Sequence, residues 1–322
     1  MKVNPAKVLP GEDDIRKAFD RISNHINLTP VLTSQTLNEI TGASIFFKCE
    51  NFQKAGAFKF RGASNALSLL SFEQAEKGVC THSSGNHAQA LTLAARSRSI
   101  PAFIVMPENA PSVKVDAVKQ YGGNITFCKP TLEARESTLQ QIQEQTGATF
   151  IHPYNNIQVI EGQASCFYEM LGQLNHPPDA VVVPVGGGGL LSGTGLAAKY
   201  FSPTTKVIGA EPLMANDAWK SFREKRFVPS KDPQTIADGL RTSLGDITFP
   251  IILNQVHDIL TASEEGIIKA MFLIWERMKI VVEPSAAVVL AVLMEHPSVF
   301  AGKNIAAIFS GGNVDLKDLP WF

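Results

Sequence analysis

Residues 179–201 read DAVVVPVGGGGLLSGTGLAAKYF, and the fold follows from this stretch. Residues 180–185 form a near-continuous apolar run, as expected of a strand covered on both faces. Gly186, Gly187, Gly188 and Gly189 follow, and then a segment of helical composition. Strand, turn, helix is the repeating unit of α/β proteins. The glycines add a phosphate-cradle pattern. Without Cβ atoms, backbone N–H groups can converge on a ligand, and a helix N-terminus adds partial positive charge.

Spacing tests the kinds of phosphate site. A dinucleotide fingerprint needs GxGxxG, and no register from Gly186 to Gly193 supplies it. A Walker A loop needs lysine after its last glycine, where Thr194 follows Gly193. A nucleophile elbow needs GxSxG, and Ser192 has Leu190 two residues before it. A phosphate on a smaller ligand remains. A plain turn would not need the chain-entropy cost of four successive glycines.

The same unit recurs on either side. Residues 78–80 lead into Thr81-His82-Ser83-Ser84-Gly85-Asn86-His87 and the helical AQALTLAARS. PAFIVM (101–106) and NITFC (124–128) read as buried strands. PENAPSVKVDAVKQYG (107–122) reads as a helix stopped by Gly122 and Gly123. LEARESTLQQIQEQTG (132–147) reads as a polar helix, and KVIGAEP (206–212) and IAAIFS (305–310) as strands. No charged or proline-rich linker divides the chain. The expected organisation is a large domain, residues 1–77 with 153–322, carrying an inserted small parallel-sheet domain, residues 78–152.

Bulk properties exclude several classes. The chain has 322 residues, enough for about two domains. Its 29 basic and 30 acidic side chains give a net charge of -1, so nothing points to nucleic acid or a membrane surface. Cys49, Cys80, Cys128 and Cys166 are widely spaced with no CxxC pair, which reads as reduced thiols rather than disulfides or zinc. The N-terminus lacks the apolar core of a signal peptide, and no stretch approaches a membrane span. A cytoplasmic protein is expected.

Two more clusters carry chemistry. The Ser83–His87 turn offers hydroxyls and N–H groups suited to a carboxylate, although an ordinary helix cap would read the same way. In Ala57-Phe58-Lys59-Phe60-Arg61-Gly62-Ala63, Lys59 lies between two phenylalanines. An apolar setting disfavours the ammonium form and frees the amine as a nucleophile. A phosphate cup, a carboxylate cup and an amine together suit an amino acid condensed onto a phosphorylated aldehyde.

With these motifs the chain resembles the serine racemase and serine/threonine dehydratase family. These are pyridoxal-phosphate (PLP) enzymes of fold type II, the tryptophan synthase β-like fold. The resemblance runs from Thr29-Pro30-Val31-Leu32-Thr33 to Ser310-Gly311-Gly312-Asn313-Val314-Asp315, and is nearest to eukaryotic-type serine racemases. No counterpart of the regulatory C-terminal domain of biosynthetic threonine deaminases is expected before the chain ends at Phe322.

The resemblance implies roles. Lys59 would hold PLP as a Schiff base with Phe58 packed nearby. Asn86 would bond the ring hydroxyl, Gly186 to Gly189 would enclose the phosphate, and Ser310 would face the pyridine nitrogen. Ser83 and His87, with neighbouring backbone, would hold the substrate carboxylate, and Arg135 would assist. Ser84 would protonate the substrate carbon from the face opposite Lys59. Dehydratases without racemase activity often have alanine there, whereas some hydroxyaspartate dehydratases also carry serine.

Glu211, the Ala215 carbonyl and Asp217 would bind Mg²⁺, Ca²⁺ or Mn²⁺, hard cations that take oxygen ligands. Lys54, Gln89, Tyr121, Lys279 and Asn313 match a nucleotide (ATP) site at a homodimer contact. Lys54-Ala55 and the loop His152-Pro153-Tyr154-Asn155-Asn156-Ile157 depart from the family pattern.

The implied activity is β-elimination of L-serine, with L-threonine or threo-3-hydroxyaspartate as further substrates, together with interconversion of L- and D-serine. Two other readings stay open: a β-replacement enzyme of the cysteine synthase type, and a non-catalytic PLP-binding or nucleotide-sensing protein.

Overall fold

A computed structural model describes residues 9–321, so residues 1–8 of the N-terminal segment read above lie outside it. The strands in chain order are β1 (Val31–Leu32), β2 (Ser44–Cys49), β3 (Val79–His82), β4 (Ala102–Pro107), β5 (Asn124–Cys128), β6 (Thr149–Phe150), β7 (Ala180–Pro184), β8 (Lys206–Pro212), β9 (Asp258–Ala262) and β10 (Asn304–Phe309). They form two sheets. The larger has the order β1-β2-β10-β7-β8-β9, and the smaller β5-β4-β3-β6. In the larger sheet β1 pairs antiparallel to β2 and the other pairings are parallel. The smaller sheet is parallel throughout. Its strands all fall between Val79 and Phe150, inside the connection from β2 to β7.

The apolar strands explain the layering. Side chains alternate faces along a strand. Ala180 and Val182 of β7 therefore enter one core, while Val181 and Val183 enter another. In β10, Ile305, Ala307 and Phe309 join the first core, and Ala306 and Ile308 the second. A strand with a core on each face has no polar side, as the sequence suggested. The helix Pro284–Glu295 is apolar all round and lies buried in the first core. The polar helix Leu132–Thr146 lies on the outside of the smaller sheet and buries only Leu139 and Ile142.

One element is shorter than its pattern. The helix expected over residues 107–122 starts at Ser112, because Pro107 still belongs to β4 and residues 108–110 turn, with Ala110 N–H donating to the Pro107 carbonyl. Pro111 keeps the preceding residue out of helical backbone geometry.

Two helices cross closely below the future site. A Cβ on Gly162 would lie 2.6 Å from Gly62 Cα and 2.7 Å from the Arg61 carbonyl oxygen. Beside this crossing Arg61 is fully buried and pairs with Glu50 and Glu169, while Lys48 also reaches Glu169. The network ties β2 to the helices Lys59–Ser68 and Ile157–Leu171. All four cysteines are buried and unbridged, and burial pushes the Cys49 and Cys80 thiols up to about 12. No helix among the described residues is long and apolar enough to cross a membrane.

Candidate active site

Ligands of parallel α/β sheets collect beyond the carboxyl ends of the strands. Here the segments after β3, β7 and β10 meet around one cavity of about 220 Å³. Lys59, Ser84, Asn86, Gly186 to Gly189, Arg135 and Ser310 all line it.

The glycine turn leaves β7 and enters the helix Gly189–Phe201, with Gly188 at φ +86° as its cap. A Cβ on Gly187 would lie 2.3 Å from the Tyr154 ring, and one on Gly186 3.0 Å from the Gly239 carbonyl. The turn is thus bare backbone because only glycine fits against its neighbours. Thr248 Oγ1 accepts from Gly245 N–H and donates to the Gly187 carbonyl, each at 2.8 Å, which holds the turn from behind.

Lys59 opens the helix Lys59–Ser68 and lines the same cavity. Phe58 N–H donates to the Ser310 carbonyl at 3.0 Å, and Ala57 bridges Gly311, so the lysine segment is pinned beside Ser310. Lys59 Nζ donates to the Pro153 carbonyl at 2.8 Å and lies 5.0 Å from the Phe58 ring centre. The open part of this side chain faces the cavity. Enclosure lowers its amine to about 8, with the nearby Glu283 carboxylate opposing the shift. A bare glycine turn at a helix N-terminus, facing an amine that readily loses its proton, fits a phosphorylated aldehyde.

Asn86 Nδ2 donates to Glu283 Oε1 at 2.7 Å, and its Oδ1 accepts from Asn313 at 3.0 Å. Glu283 is buried, Oε2 has no partner, and burial raises its carboxyl to about 7, with Asp238 adding and Lys114 opposing. Sequence reasoning missed Glu283. Its available signal was an acid placed between the apolar Val281-Val282 and Pro284, the first residue of a buried helix.

Ser83 N–H donates to the Val105 carbonyl, and its Oγ accepts from Gly85 N–H. His87 is buried with Nε2 3.0 Å from the Ile151 carbonyl oxygen. Arg135 Nε is buried without a partner. Lys114 and Asp238, which no motif marked, form an ion pair across the cavity wall.

Other expected groups lie elsewhere. Glu211 is buried on β8 and accepts from the Ala218 and Trp219 N–H groups, at 2.8 and 2.7 Å. Both Asp217 oxygens are buried without hydrogen bonds of good geometry, and burial raises the group to about 6. Glu211 is driven well above the carboxylate range by burial and by Asp217. Of the nucleotide set, Asn313 joins Asn86 to the Ala55 carbonyl next to Lys54. Gln89 is buried in the helix Asn86–Arg96, and Tyr121 is half-buried at the end of the helix Ser112–Gln120. Lys54 is exposed, and Lys279 donates to the Glu276 carbonyl of its own turn.

Comparison with known proteins agrees with this geometry. Residues 22–311 match the family model described as pyridoxal-phosphate dependent enzyme. The chain is 50% identical to a β-hydroxyaspartate dehydratase of Paracoccus denitrificans, covering 97% of this chain and 99% of that one. It is 48% identical to a serine racemase of Arabidopsis thaliana, over 99% and 98% of the two chains. The solved structure of maize serine racemase superposes with a TM-score of 0.94 at 44% identity, covering 96% of this chain and 95% of that one. With its lysine and its glycine turn lining one cavity, the chain belongs to the pyridoxal-phosphate dependent enzyme family, in the fold type II group that includes the serine racemases.

Proposed function

We propose that this protein is a PLP-dependent ammonia-lyase and racemase. It eliminates water from L-serine to aminoacrylate, which takes up water again and releases ammonia to give pyruvate, and it interconverts L- and D-serine. L-threonine and threo-3-hydroxyaspartate are the further substrates to test. The observation that carries the reading is that Lys59 and the Gly186 to Gly189 turn line one cavity.

The glycine backbone and helix N-terminus would hold the cofactor phosphate, and Lys59 Nζ would hold its aldehyde. Phe58 would pack beside it, and Asn86 and Ser310 would hold the ring hydroxyl and the pyridine nitrogen. When bound, the cofactor supplies the electron sink that makes the substrate α-hydrogen acidic. The substrate carboxylate is held by Ser83, by the open N–H groups at the start of the helix Asn86–Arg96, including that of His87, and by Arg135. Lys59 Nζ removes the α-proton as general base, since enclosure has already disfavoured its ammonium. Ser84 Oγ gives a proton to the opposite face, and D-serine results. Where the β-hydroxyl leaves first, water is lost, and hydrolysis of the released aminoacrylate gives pyruvate and ammonia. Ser310 is neutral and does not favour a charged pyridine nitrogen, which favours prompt elimination. The division at residues 78–152 belongs to the same reading, supported by the smaller sheet lying wholly within it.

A panel of serine, threonine and hydroxyaspartate stereoisomers, scored for keto-acid release and chiral product, tests the assignment. Binding of PLP without turnover of any member would reject it. Within that panel, Ser84→Ala is expected to cut D-serine formation by about 100-fold, the scale of one lost acid–base group. Pyruvate formation should fall far less. Equal losses of both products would refute the two-face scheme.

The reading includes a divalent cation, Mg²⁺ first, held by Glu211, Asp217 and the Ala215 carbonyl. Two buried carboxylates, Glu211 raised by burial and by Asp217, and Asp217 raised by burial with both oxygens lacking hydrogen bonds of good geometry, support it. Among the described residues no third His, Cys, Asp or Glu joins them, so carbonyl and water oxygens would complete the shell. Asp217 titrates near 6 in the fold, above its ordinary 3.8. The stability tied to its protonated form is full below that ordinary value and is lost as pH rises through about 6. In chelator, thermal stability should therefore decline from pH 4 toward pH 7, and Mg²⁺ should offset the decline. Asp217→Asn should shrink the decline, leaving the part due to Glu211 and Glu283, and should remove the Mg²⁺ response. A wild-type melting temperature indifferent to Mg²⁺ at pH 7 would remove the cation from the scheme.

The nucleotide effector and the homodimer rest on the resemblance, and the cytoplasmic location on four cysteines that are all unbridged. The Asn313 link between Ala55 and Asn86 supports the first of these.

A further inference from the structure

Asn86 opens the helix Asn86–Arg96 and lines the cavity, and its side chain is held from two directions. Atoms that leave no choice fix the direction of each bond. A backbone carbonyl only accepts, so the Asn313 atom 2.8 Å from the Ala55 carbonyl oxygen is the amide nitrogen, Nδ2. The same nitrogen lies 3.0 Å from Asn86 and can only donate, so the Asn86 atom it meets is the oxygen, Oδ1. That turns Asn86 Nδ2 toward Glu283, whose Oε1 accepts from it at 2.7 Å. A carboxylate demands the same orientation from the other end. Nδ2 carries two hydrogens, and one goes to Glu283. Among the described residues no acceptor takes the second.

Glu283 is fixed in turn. Its N–H donates to the Gly311 carbonyl at 3.1 Å, beside Ser310, and a Cβ on Gly311 would come within 2.9 Å of Oε1. Burial of this acid does not stabilise the fold. Glu283 is 2% exposed, and Oε2 has no hydrogen-bond partner. A buried carboxyl oxygen left unpaired costs stability that an apolar side chain would not. Lys114, the cation beside it on the cavity wall, is already paired with Asp238. The acid therefore serves the site. We propose that Glu283 is a positioning residue for Asn86: together with Asn313 it locks the Asn86 amide so that an N–H, and not the carbonyl, is offered to the cavity. A locked donor selects an acceptor, so it fits the ring oxygen of the cofactor in its ionised form. No proton is transferred. Oε1 only has to accept, so the lock works through an oxygen atom in a fixed place and not through charge. The inference rests on the cavity taking PLP, and it fails separately from that reading.

Two probes test it without turnover: 4-deoxypyridoxine phosphate, an aldehyde-free form of the cofactor, and the same molecule without its ring hydroxyl. Neither can bond covalently to Lys59. Wild type should bind the first about tenfold more tightly, the scale of one hydrogen bond. Glu283→Leu should lose that preference while binding the hydroxyl-free probe as before. Glu283→Gln should keep it, because glutamine retains an accepting oxygen. Equal weakening toward both probes in Glu283→Leu means a purely structural role. A glutamine variant as poor as the leucine one means that charge matters instead. Either result overturns the proposal, as does a preference that survives in Glu283→Leu.

The two readings fail differently. A wild type that binds neither probe nor PLP rejects the cofactor reading itself. One that binds PLP and holds both probes alike keeps that reading and rejects the lock. Should Glu283→Leu not fold, proton–nitrogen NMR of the wild-type side-chain amides decides. The probe with the ring hydroxyl should shift one Nδ2 hydrogen of Asn86 and leave the other, bonded to Glu283, in place. The hydroxyl-free probe should shift neither. Movement of both hydrogens, or of neither with the first probe, overturns the proposal.

Discussion

Lys59→Ala is expected to lower turnover of L-serine by about 10⁴-fold or more, the upper range for loss of one general base, with additional loss from cofactor attachment. Borohydride treatment of the wild type should fix the cofactor on Lys59, and the variant should carry no label there. The cavity holds a second amine, Lys114, so the choice between them needs a reason. Both are enclosed, and enclosure lowers both. For Lys114 the charges of Asp238 and Glu283 outweigh enclosure, and its ammonium is favoured. It also forms an ion pair with Asp238. Lys59 has no acidic side chain bonded to it, only the Pro153 carbonyl, and its amine sits near 8. At neutral pH a useful fraction of Lys59 is therefore free amine while Lys114 stays charged. Label on Lys114, or serine turnover surviving in Lys59→Ala, would reverse the assignment.

Arg61→Met should destabilise the fold by about 3–5 kcal/mol, the usual result of removing one member of a buried ion network. Arg61 Nε and Nη2 contact both oxygens of Glu50, at 2.7 and 2.8 Å, and Nη1 and Nη2 reach Glu169 at 3.0 and 2.8 Å. Burial alone would push Glu50 up, but the charge and hydrogen bonds of Arg61 bring it below the ordinary range. Without the guanidinium, Glu50 is a buried carboxylate facing only Thr29 and the charge of Lys48. Glu169 keeps Lys48, so most of the cost falls on Glu50. Arg61→Lys should recover little, since one ammonium cannot reproduce a planar fork that serves two carboxylates. Urea unfolding with an unchanged slope measures the loss. A shift of the midpoint worth less than about 1 kcal/mol would mean that the network is not held as described. Where the variant still folds, kcat should stay within a few-fold, because Arg61 orients the helix of Lys59 without lining the cavity.

Much of the architecture was readable from local pattern. The run at residues 180–185 has no polar face, so it had to lie between two cores. The glycine turn could serve one ligand class once the spacings of other phosphate loops failed. Lys59 stood out because two aromatic rings flank it. Other features had no local pattern to carry them. The start of the helix at Ser112, rather than at residue 107, depends on β4 pairing with β5 as far as Pro107. No local pattern marks Glu211 and Asp217 as buried, yet they are. The Glu211 carboxylate receives N–H groups of the first turn of the helix Asp217–Glu224, which packs on β9.

By itself the sequence determined the order of strands and helices, the glycine turn and the amine between two rings. Alternation, backbone freedom and side-chain type are properties of neighbours along the chain. Only the tertiary structure decided that Glu283, more than two hundred residues from Lys59, backs Asn86, that Lys114 meets Asp238, and that His87 is buried against the Ile151 carbonyl. Charge state and hydrogen-bond direction depend on distance, burial and the partner's atoms, and those exist only once the two sheets have folded around a common cavity.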